Sequence, residues 1–271
     1  MACARAIRGL RGYGALLLAP LVLVACVSGG GPGAGPSASA SATGAAGADP
    51  GSGPSDTGVI DADPARLPAT RKEALGLIRR IIAKPAAFGP GVVERRPYES
   101  DPATWPVLGT DCVWQQKKPQ AHVLATLSRY FEVPAAGGRG PLRLSAVVTV
   151  HRTREDARWE MAESVEETMR CPTQQLSQGE FIGSMIASSL ARGESQESAE
   201  DALFEAGQYQ NEELGGGPYP YSWYLSQTLQ FTVAVTGKGA EGWSDAEIDA
   251  LTNQAHSAML QDLGTAVEKQ S

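Results

Sequence analysis

The chain of 271 residues carries 23 basic and 30 acidic side chains, which gives it a formal net charge of −7 at pH 7. Such a chain lacks the basic surface that binds the phosphates of nucleic acids or the headgroups of anionic lipids, so the composition argues against both as partners of the folded part. About 210 residues follow residue 60, enough for one domain with an adequate core.

The first 26 residues have the pattern of an export signal. Three arginines precede an apolar stretch over residues 15–25, which is too short to span a bilayer but suits a signal peptide. The sequence Leu-Val-Ala-Cys at residues 23–26 resembles the lipobox of bacterial lipoproteins. This resemblance implies cleavage before Cys26, diacylglycerol on the Cys26 thiol, and attachment to the lipid bilayer through acyl chains. The alternative is an ordinary secretory signal with an incidental cysteine.

A tether is predicted between this anchor and the folded domain. Residues 28–58 consist almost entirely of Gly, Ala, Ser and Pro. Such a composition cannot bury enough apolar surface to offset the entropy of ordering it. The expected organisation is a signal peptide over 1–25, a lipidated and disordered linker over 26–60, and a single extracellular domain over 61–271.

The first helix and strands of the domain follow in chain order. Thr70 and Glu73 form a capping box that starts a helix ending near Ala83. Strands are then predicted over residues 112–116, 122–133 and 142–152, the last two joined by a Gly-rich hairpin connection.

A second helix is predicted from Thr153 to about residue 170. Its apolar side chains recur every four residues and predict a buried stripe made of Ala157, Met161, Val165 and Met169. The glutamates of the segment are predicted to form the solvated face, namely Glu160, Glu163, Glu166 and Glu167.

The C-terminal third mixes ambiguous and clear signals. Residues 174–192 could form a helix through Phe181, Ile182, Met185, Ile186 and Leu190. Strands are predicted over 202–210 and 221–237, the second being long and either continuous or broken, and Ser244 with Glu247 caps a last helix. Helices that flank hairpins without strict βα alternation predict an α+β fold, an antiparallel sheet with helices packed on one face.

Two cysteines remain once Cys3 leaves with the signal and Cys26 is lipidated. Cys112 and Cys171 form an even pair in an exported protein, which favours a disulfide. The alternative is two separate buried thiols. Neither cysteine has a neighbouring Cys or His at ligand spacing, so no metal site is expected.

The sequence contains one apparent cofactor motif and no linear catalytic motif. Residues 237–242 match G-x-G-x-x-G, but a dinucleotide site needs a further strand after the helix, so a turn is favoured and neither nucleotide nor other cofactor is expected. Linear hydrolase signatures are absent, and His122, His151 and His256 lie far apart in the chain. The acidic run over 194–201 lacks the pattern of a calcium loop and is interpreted as an exposed loop. No catalytic residue is predicted.

One segment has the character of a recognition surface. Tyr219, Tyr221, Trp223 and Tyr224 stand beside two prolines in residues 218–224. Rigid aromatic groups are enriched in interfaces, so these four are candidate ligand contacts. The alternative is that Tyr221 and Trp223 pack into the core while Tyr219 and Tyr224 cover an edge strand.

Three features together resemble the PknH-like extracellular sensor domains of actinobacteria. They are the Cys-Val-Trp sequence at 112–114, the strand 147–150 followed by a helix with Asp156 and Ala157, and Cys171 at the end of that helix. The resemblance implies a non-enzymatic domain that binds an unidentified envelope ligand, and it assigns no site residue.

The expected function is therefore that of a lipid-anchored, exported domain that binds an envelope ligand or a membrane protein without transforming it. One alternative is an envelope hydrolase, whose cleft would bring together two carboxylates, or a His with an Asp and a Ser. Another is an accessory subunit of a membrane complex, which would expose an apolar patch.

Overall fold

The computed structural model describes residues 60–188 and 199–270. The predicted signal peptide, the lipidated Cys26 and nearly all of the tether lie outside these residues, as do Leu190 and most of the acidic run over 194–201. Within the described segments, no helix has both the length and the apolar character to cross a membrane.

The elements follow in chain order. The helices are α1 (Arg71–Ile81), α2 (Pro85–Phe88), α3 (Arg154–Arg170) and α4 (Asp245–Val267), with 3-10 turns at Pro64–Arg66 and Glu212–Leu214. The strands are β1 (Val93–Glu99), β2 (Trp105–Leu108), β3 (Trp114–Lys117), β4 (Val123–Val133), β5 (Leu142–His151), β6 (Gln174–Ser177), β7 (Glu180–Ser188), β8 (Asp201–Asn211), β9 (Gly216–Thr228) and β10 (Phe231–Lys238).

The main sheet is antiparallel throughout its described length. Its strand order is β1-β4-β5-β10-β9-β8-β7-β6, while β2 and β3 pair separately as a hairpin. The predicted α+β fold with an antiparallel sheet is confirmed. The capping boxes predicted at Thr70 and Ser244 also start α1 and α4.

The two faces of the sheet have different partners. Phe231, Val233 and Val235 of β10 belong to an apolar core shared with α1, α2 and α4. Because side chains alternate along a strand, the residues between them, such as Thr232 and Ala234, point to the opposite face, where α3 lies. The prediction of helices on one face thus describes α1, α2 and α4, whereas α3 covers part of the second face.

The buried side of α3 differs from the predicted stripe. Val165 and Met169 are 39% and 79% exposed, so their prediction as buried residues is wrong. The side chains that are buried against the sheet are Ala157, Met161, Ser164 and Thr168. Half of this set is polar because the second face of the sheet is itself rich in hydroxyl groups. The spacing of apolar residues in the helix cannot reveal the polarity of the sheet that it meets.

Residues 174–177 and 180–188 form strands, so the helix considered for the ambiguous segment 174–192 is wrong for its described part. β6 and β7 pair across a turn at Gly179, whose φ of 72° favours glycine. β7 also pairs with β8, from Glu180 opposite Asn211 to Ser188 opposite Phe204. This pairing satisfies the backbone through residues distant in sequence, which a local apolar pattern cannot indicate.

The segment predicted as a long strand over 221–237, continuous or broken, consists of two strands. β9 and β10 form a hairpin around Leu229 and Gln230, and β9 lies between β8 and β10 inside the sheet. The aromatic segment therefore does not cover an edge strand.

The glycines of the G-x-G-x-x-G sequence have packing roles. A Cβ atom at Gly237 would collide with Ile248 of α4, and one at Gly239 would lie 2.7 Å from the carbonyl oxygen of Pro220. Gly242 has a φ of 78°, a conformation that side chains disfavour. The spacing is explained by the close approach of α4 to β9 and β10.

Gly237→Ala tests this close approach. Overpacking of this kind typically lowers the free energy of unfolding by ~1–3 kcal/mol. The matched control is Gly76→Ala in the middle of α1, where the added Cβ would meet its nearest neighbour, Arg80, at 3.9 Å. The free energy of unfolding of the control is expected to rise by ~0.5–1 kcal/mol, because alanine has a higher helix propensity than glycine. Urea unfolding measures both, and a Gly237→Ala variant as stable as the parent would contradict the packing role.

Candidate functional site

A cavity of about 250 Å³ lies on the second face of the sheet. Strands β5, β8, β9 and β10 contribute to its lining together with α3 and the β2–β3 hairpin. Its volume is just below the ~300–1,000 Å³ of common ligand pockets.

Aromatic side chains line the cavity from two directions. Trp105 and Trp114 come from the β2–β3 hairpin, whereas Tyr221 and Trp223 come from β9. Trp114 is oriented by a hydrogen bond from its Nε1 to Oε1 of Gln174, at 2.8 Å. The cavity therefore presents flat aromatic surfaces that suit an organic ligand.

Four carboxyl groups share this lining. Glu160, Glu163 and Glu167 project from α3, where spacings of three, four and seven residues place them on one side of the helix, and Glu205 comes from β8. The predicted solvated face is therefore wrong for Glu160 and Glu167, which are half-buried in the cavity wall. Glu166 does face solvent, where it pairs with Arg170 at 3.0 Å.

Glu205 is the most deeply buried of the four, with 3% of its surface exposed. Burial raises the pKa of Glu205 to about 7, against the opposing effect of the hydrogen bond that Thr168 donates to it. Burial also raises the pKa of Glu167 to about 7; Arg170 opposes this shift, while Glu163, Glu166 and Glu205 add to it. Both carboxyl groups thus change charge near neutral pH.

Glu160 is engaged by two neighbouring groups. Its Oε2 lies 2.6 Å from Nε2 of the buried His151 and accepts a hydrogen bond from Thr232 Oγ1 at 2.7 Å. The His151 ring stacks on His122 with 5.8 Å between the ring centres. In a catalytic triad the hydroxyl donates to the histidine, whereas here Thr232 donates to the carboxylate, so this arrangement does not activate a nucleophile.

A disulfide joins Cys112 to Cys171, the pairing that the sequence favoured. It connects the loop before β3 to the residue that ends α3. Gln175 N donates to the carbonyl oxygen of Cys112 at 2.9 Å, and Arg170 Nη1 donates to that of Gly109 at 3.1 Å. These bonds fix the aromatic hairpin beside the acidic helix, so both sides of the cavity are cross-linked.

The predicted aromatic segment divides between the two faces of the sheet. Tyr221 and Trp223 line the cavity. Tyr219 lies further along the same face, where its hydroxyl donates to the carbonyl oxygen of Leu214 at 2.7 Å. Tyr224 lies on the opposite face, with its ring centre 4.7 Å from Phe204 and 5.9 Å from His256. The structure therefore brings two of the four candidates into one site.

Sequence reasoning missed several cavity residues, above all Glu205, Trp105 and Trp114. A weak signal for Glu205 existed, because Leu203, Glu205 and Tyr209 share one face of β8 and a charged residue stands among apolar ones. The tryptophans had no signal of this kind, since their position depends on how the hairpin folds over the sheet.

Solved structures similar to this chain include one extracellular domain. The crystal structure of the extracellular domain of PknH from Mycobacterium tuberculosis is similar with a TM-score of 0.42 and 10% sequence identity, over 70% of this chain and 98% of that one. No family model and no curated protein matches the chain. Membership of the PknH-like family stays a prediction.

Glu205→Gln tests the state of the buried carboxyl. In the folded chain the Glu205 carboxyl stays protonated up to about pH 7, whereas a glutamate in the unfolded chain loses its proton near pH 4.5. The resulting stabilisation is complete below pH 4.5 and is lost as the pH rises through 7. Glutamine does not ionise, so the free energy of unfolding of the variant is expected to rise relative to that of the parent by up to ~3 kcal/mol between these pH values. Urea unfolding between about pH 4.5 and about pH 8 measures the difference.

The control is Glu241→Gln, which removes an exposed carboxylate in the turn before α4 and should leave the pH profile unchanged. Glu167 and Tyr221 are the titratable groups that interact with Glu205, and both remain in the variant. Parallel stability curves for parent and Glu205→Gln would contradict the raised pKa.

Proposed function

We propose that this chain is a membrane-anchored, exported lipoprotein whose non-catalytic, sensor-like domain binds a ligand of the cell envelope. The single observation that carries the proposal is the cavity beside α3. Aromatic surfaces and carboxyl groups meet there in a concave site that two cross-linked elements hold in place. A preformed concave site with a few polar groups is the usual form of a small-molecule site.

The disulfide supports export. Disulfides persist in oxidising compartments and are rare where thiols are kept reduced, and Cys112–Cys171 closes a separation of 59 residues. Acyl chains on Cys26 would hold the protein at the extracytoplasmic face of the cell membrane. The two acyl chains of a diacylglycerol joined to Cys26 by a thioether would meet the requirement that stable anchoring needs more than one lipid signal.

The electrostatics of the cavity favour binding over hydrolysis. Paired carboxyl groups act as acid and base when their surroundings push the two pKa values apart. The cavity does bring carboxyl groups together, as an envelope hydrolase would require, but burial raises the pKa of both Glu167 and Glu205 in the same direction, to about 7. The hydroxyl of Thr232 is directed to Glu160 rather than to a histidine. An envelope hydrolase is therefore the less favoured reading of this cleft.

A second candidate function is that of an accessory subunit in a membrane complex. The observation that favours it is the outward side of α3, where Trp159, Val165 and Met169 are 62%, 39% and 79% exposed. Exposed apolar side chains grouped on one element are typical of partner contacts. This surface faces away from the sheet, so a partner there and a ligand in the cavity affect different tryptophans.

Fluorine NMR of the full chain labelled with 5-fluorotryptophan tests the proposal. The chain has five tryptophans, of which Trp105, Trp114 and Trp223 line the cavity while Trp159 and Trp243 lie elsewhere. Soluble peptidoglycan fragments, disaccharides, amines and carboxylic acids are added singly at millimolar concentration, which detects binding free energies near ~4 kcal/mol. At least one compound is expected to shift the three cavity signals and leave the other two in place.

Trp223→Phe and Trp159→Phe assign one signal on each side of α3 and serve as matched controls. A shift confined to Trp159 would favour the accessory-subunit candidate. Cavity signals that stay in place for the whole panel would overturn the proposal that the cavity binds a small ligand.

The lipid anchor has a separate test. Intact-mass analysis of the native protein extracted from membranes is expected to give a chain that begins at Cys26 and carries added acyl mass. Cys26→Ser is expected to abolish the acyl mass, because serine has no thiol to modify. The control is Cys3→Ser, which should leave the acyl mass unchanged. A native product without acyl chains would refute the anchor and leave the cavity proposal standing.

A further inference from the structure

The charge of the cavity lining is all of one sign. Among the described residues that form it, the ionisable groups other than Tyr221 are the carboxyl groups of Glu160, Glu163, Glu167 and Glu205, and none is Lys, Arg or His. Nearby cations are paired elsewhere: Lys238 lies 2.7 Å from Glu180, and Arg170 lies 3.0 Å from Glu166. The lining therefore repels anions. His151 and Thr232 engage Glu160, and Arg170 acts on Glu167, whereas Glu205 has no cationic partner among the described residues.

Glu205 shows this imbalance most clearly. Its side chain lines the cavity with 3% exposure, and among the described residues its hydrogen-bond partner is the hydroxyl of Thr168, with no cationic group within 4 Å. A buried carboxylate is costly unless a cation or several donors compensate it. A positively charged ligand in the cavity would supply that compensation.

The spread of the carboxyl groups indicates the kind of cation. Glu160 and Glu167 are seven residues apart on α3, which is ~10 Å along the helix axis, and Glu205 lies on a strand of the sheet. A metal ion needs its oxygen ligands together at ~2.0–2.6 Å. Among the described residues, no three acidic, histidine or cysteine side chains are grouped in that way. A ligand several atoms long can reach groups that are spread so far apart.

The aromatic walls complete the match to such a ligand. Trp105, Trp114 and Trp223 line the same cavity, and indole faces attract alkylammonium groups more strongly than phenyl rings do. Carboxylates alone would suit any cation, but three indoles beside them favour a cation with an apolar body. From this combination we infer that the cavity binds a small organic ammonium ion, a deepening that rests on the proposed binding function.

Binding of such a cation is coupled to proton release. The carboxyl groups of Glu167 and Glu205 are partly protonated near neutral pH, and a bound ammonium group favours their ionised forms. The other titratable groups of the lining are Glu160 and Glu163 on α3 and Tyr221 on β9. If one carboxyl group must ionise, affinity is expected to be about tenfold higher near pH 8 than near pH 6.

Two pairs of matched compounds test the inference on the fluorotryptophan-labelled full chain. Choline is compared with 3,3-dimethyl-1-butanol, and 1,5-diaminopentane with 1,5-pentanediol, because each pair has a similar shape and differs in charge. The cations are expected to shift the signals of Trp105, Trp114 and Trp223, and the neutral partners are not. Glu205→Gln is expected to weaken cation binding at least tenfold and to remove much of its pH dependence.

Glu241→Gln is the control for net charge, since it removes one exposed carboxylate that is not part of the cavity lining and should leave the affinity unchanged. Equal signal shifts from a cation and its neutral partner, or no signal shift from either cation, would overturn the inference. If disaccharides or peptidoglycan fragments still shift the cavity signals, the binding function stands and the ligand is not a cation. If no compound shifts them, both proposals fail.

Discussion

The alternation of side chains along β10 and its neighbours is the constraint on which the rest of the fold depends. One set, including Val233 and Val235, joins an apolar core beneath α1, α2 and α4. The other set, including Thr232 and Thr236, faces the cavity beneath α3, where aromatic, carboxyl and hydroxyl groups meet. A sheet can leave one face polar only if the other buries enough apolar surface to hold the domain together. The first face therefore provides the stability, and the second is free to carry a site.

A helix over a polar face needs attachments other than apolar packing. α3 has a small apolar contact through Met161 with Leu203, Leu225 and Ala234. Its first residue, Arg154, pairs with Glu200 at 2.6 Å, and its last turn is tied to the hairpin through Cys171. In the chain-entropy model a bridge across 59 residues contributes ~4 kcal/mol. The disulfide thus stabilises the geometry of the cavity as well as the chain.

The sequence could predict features whose causes are local. The capping boxes at Thr70 and Ser244 and the strand predicted over 142–152 each depend on residues close together in the chain, and they appear where expected. Residues 174–188 failed as a helix because their partners in β8 are distant in the chain. α3 kept its predicted extent while Val165 and Met169 were assigned to the wrong side, since a helical period fixes spacing but not which side meets a polar sheet. Two of the four predicted ligand contacts, Tyr221 and Trp223, line the cavity, and they could be predicted because the aromatic segment is itself a local feature of the sequence.

Two glutamates of this sheet, Glu180 and Glu205, differ in how far the fold compensates their burial. Burial alone would raise the pKa of Glu180, but Lys238 at 2.7 Å, Tyr209 at 2.7 Å and Ser177 lower it to about 2. The fold can therefore compensate a carboxylate fully with its own groups. It does so beside the cavity and leaves Glu205 with a single hydroxyl partner among the described residues, at a pKa near 7. Local rules of this kind are usually broken at functional sites, where stability is given up for binding. Because Glu205 faces a space walled by indoles, we propose that its missing partner is a ligand from outside the chain.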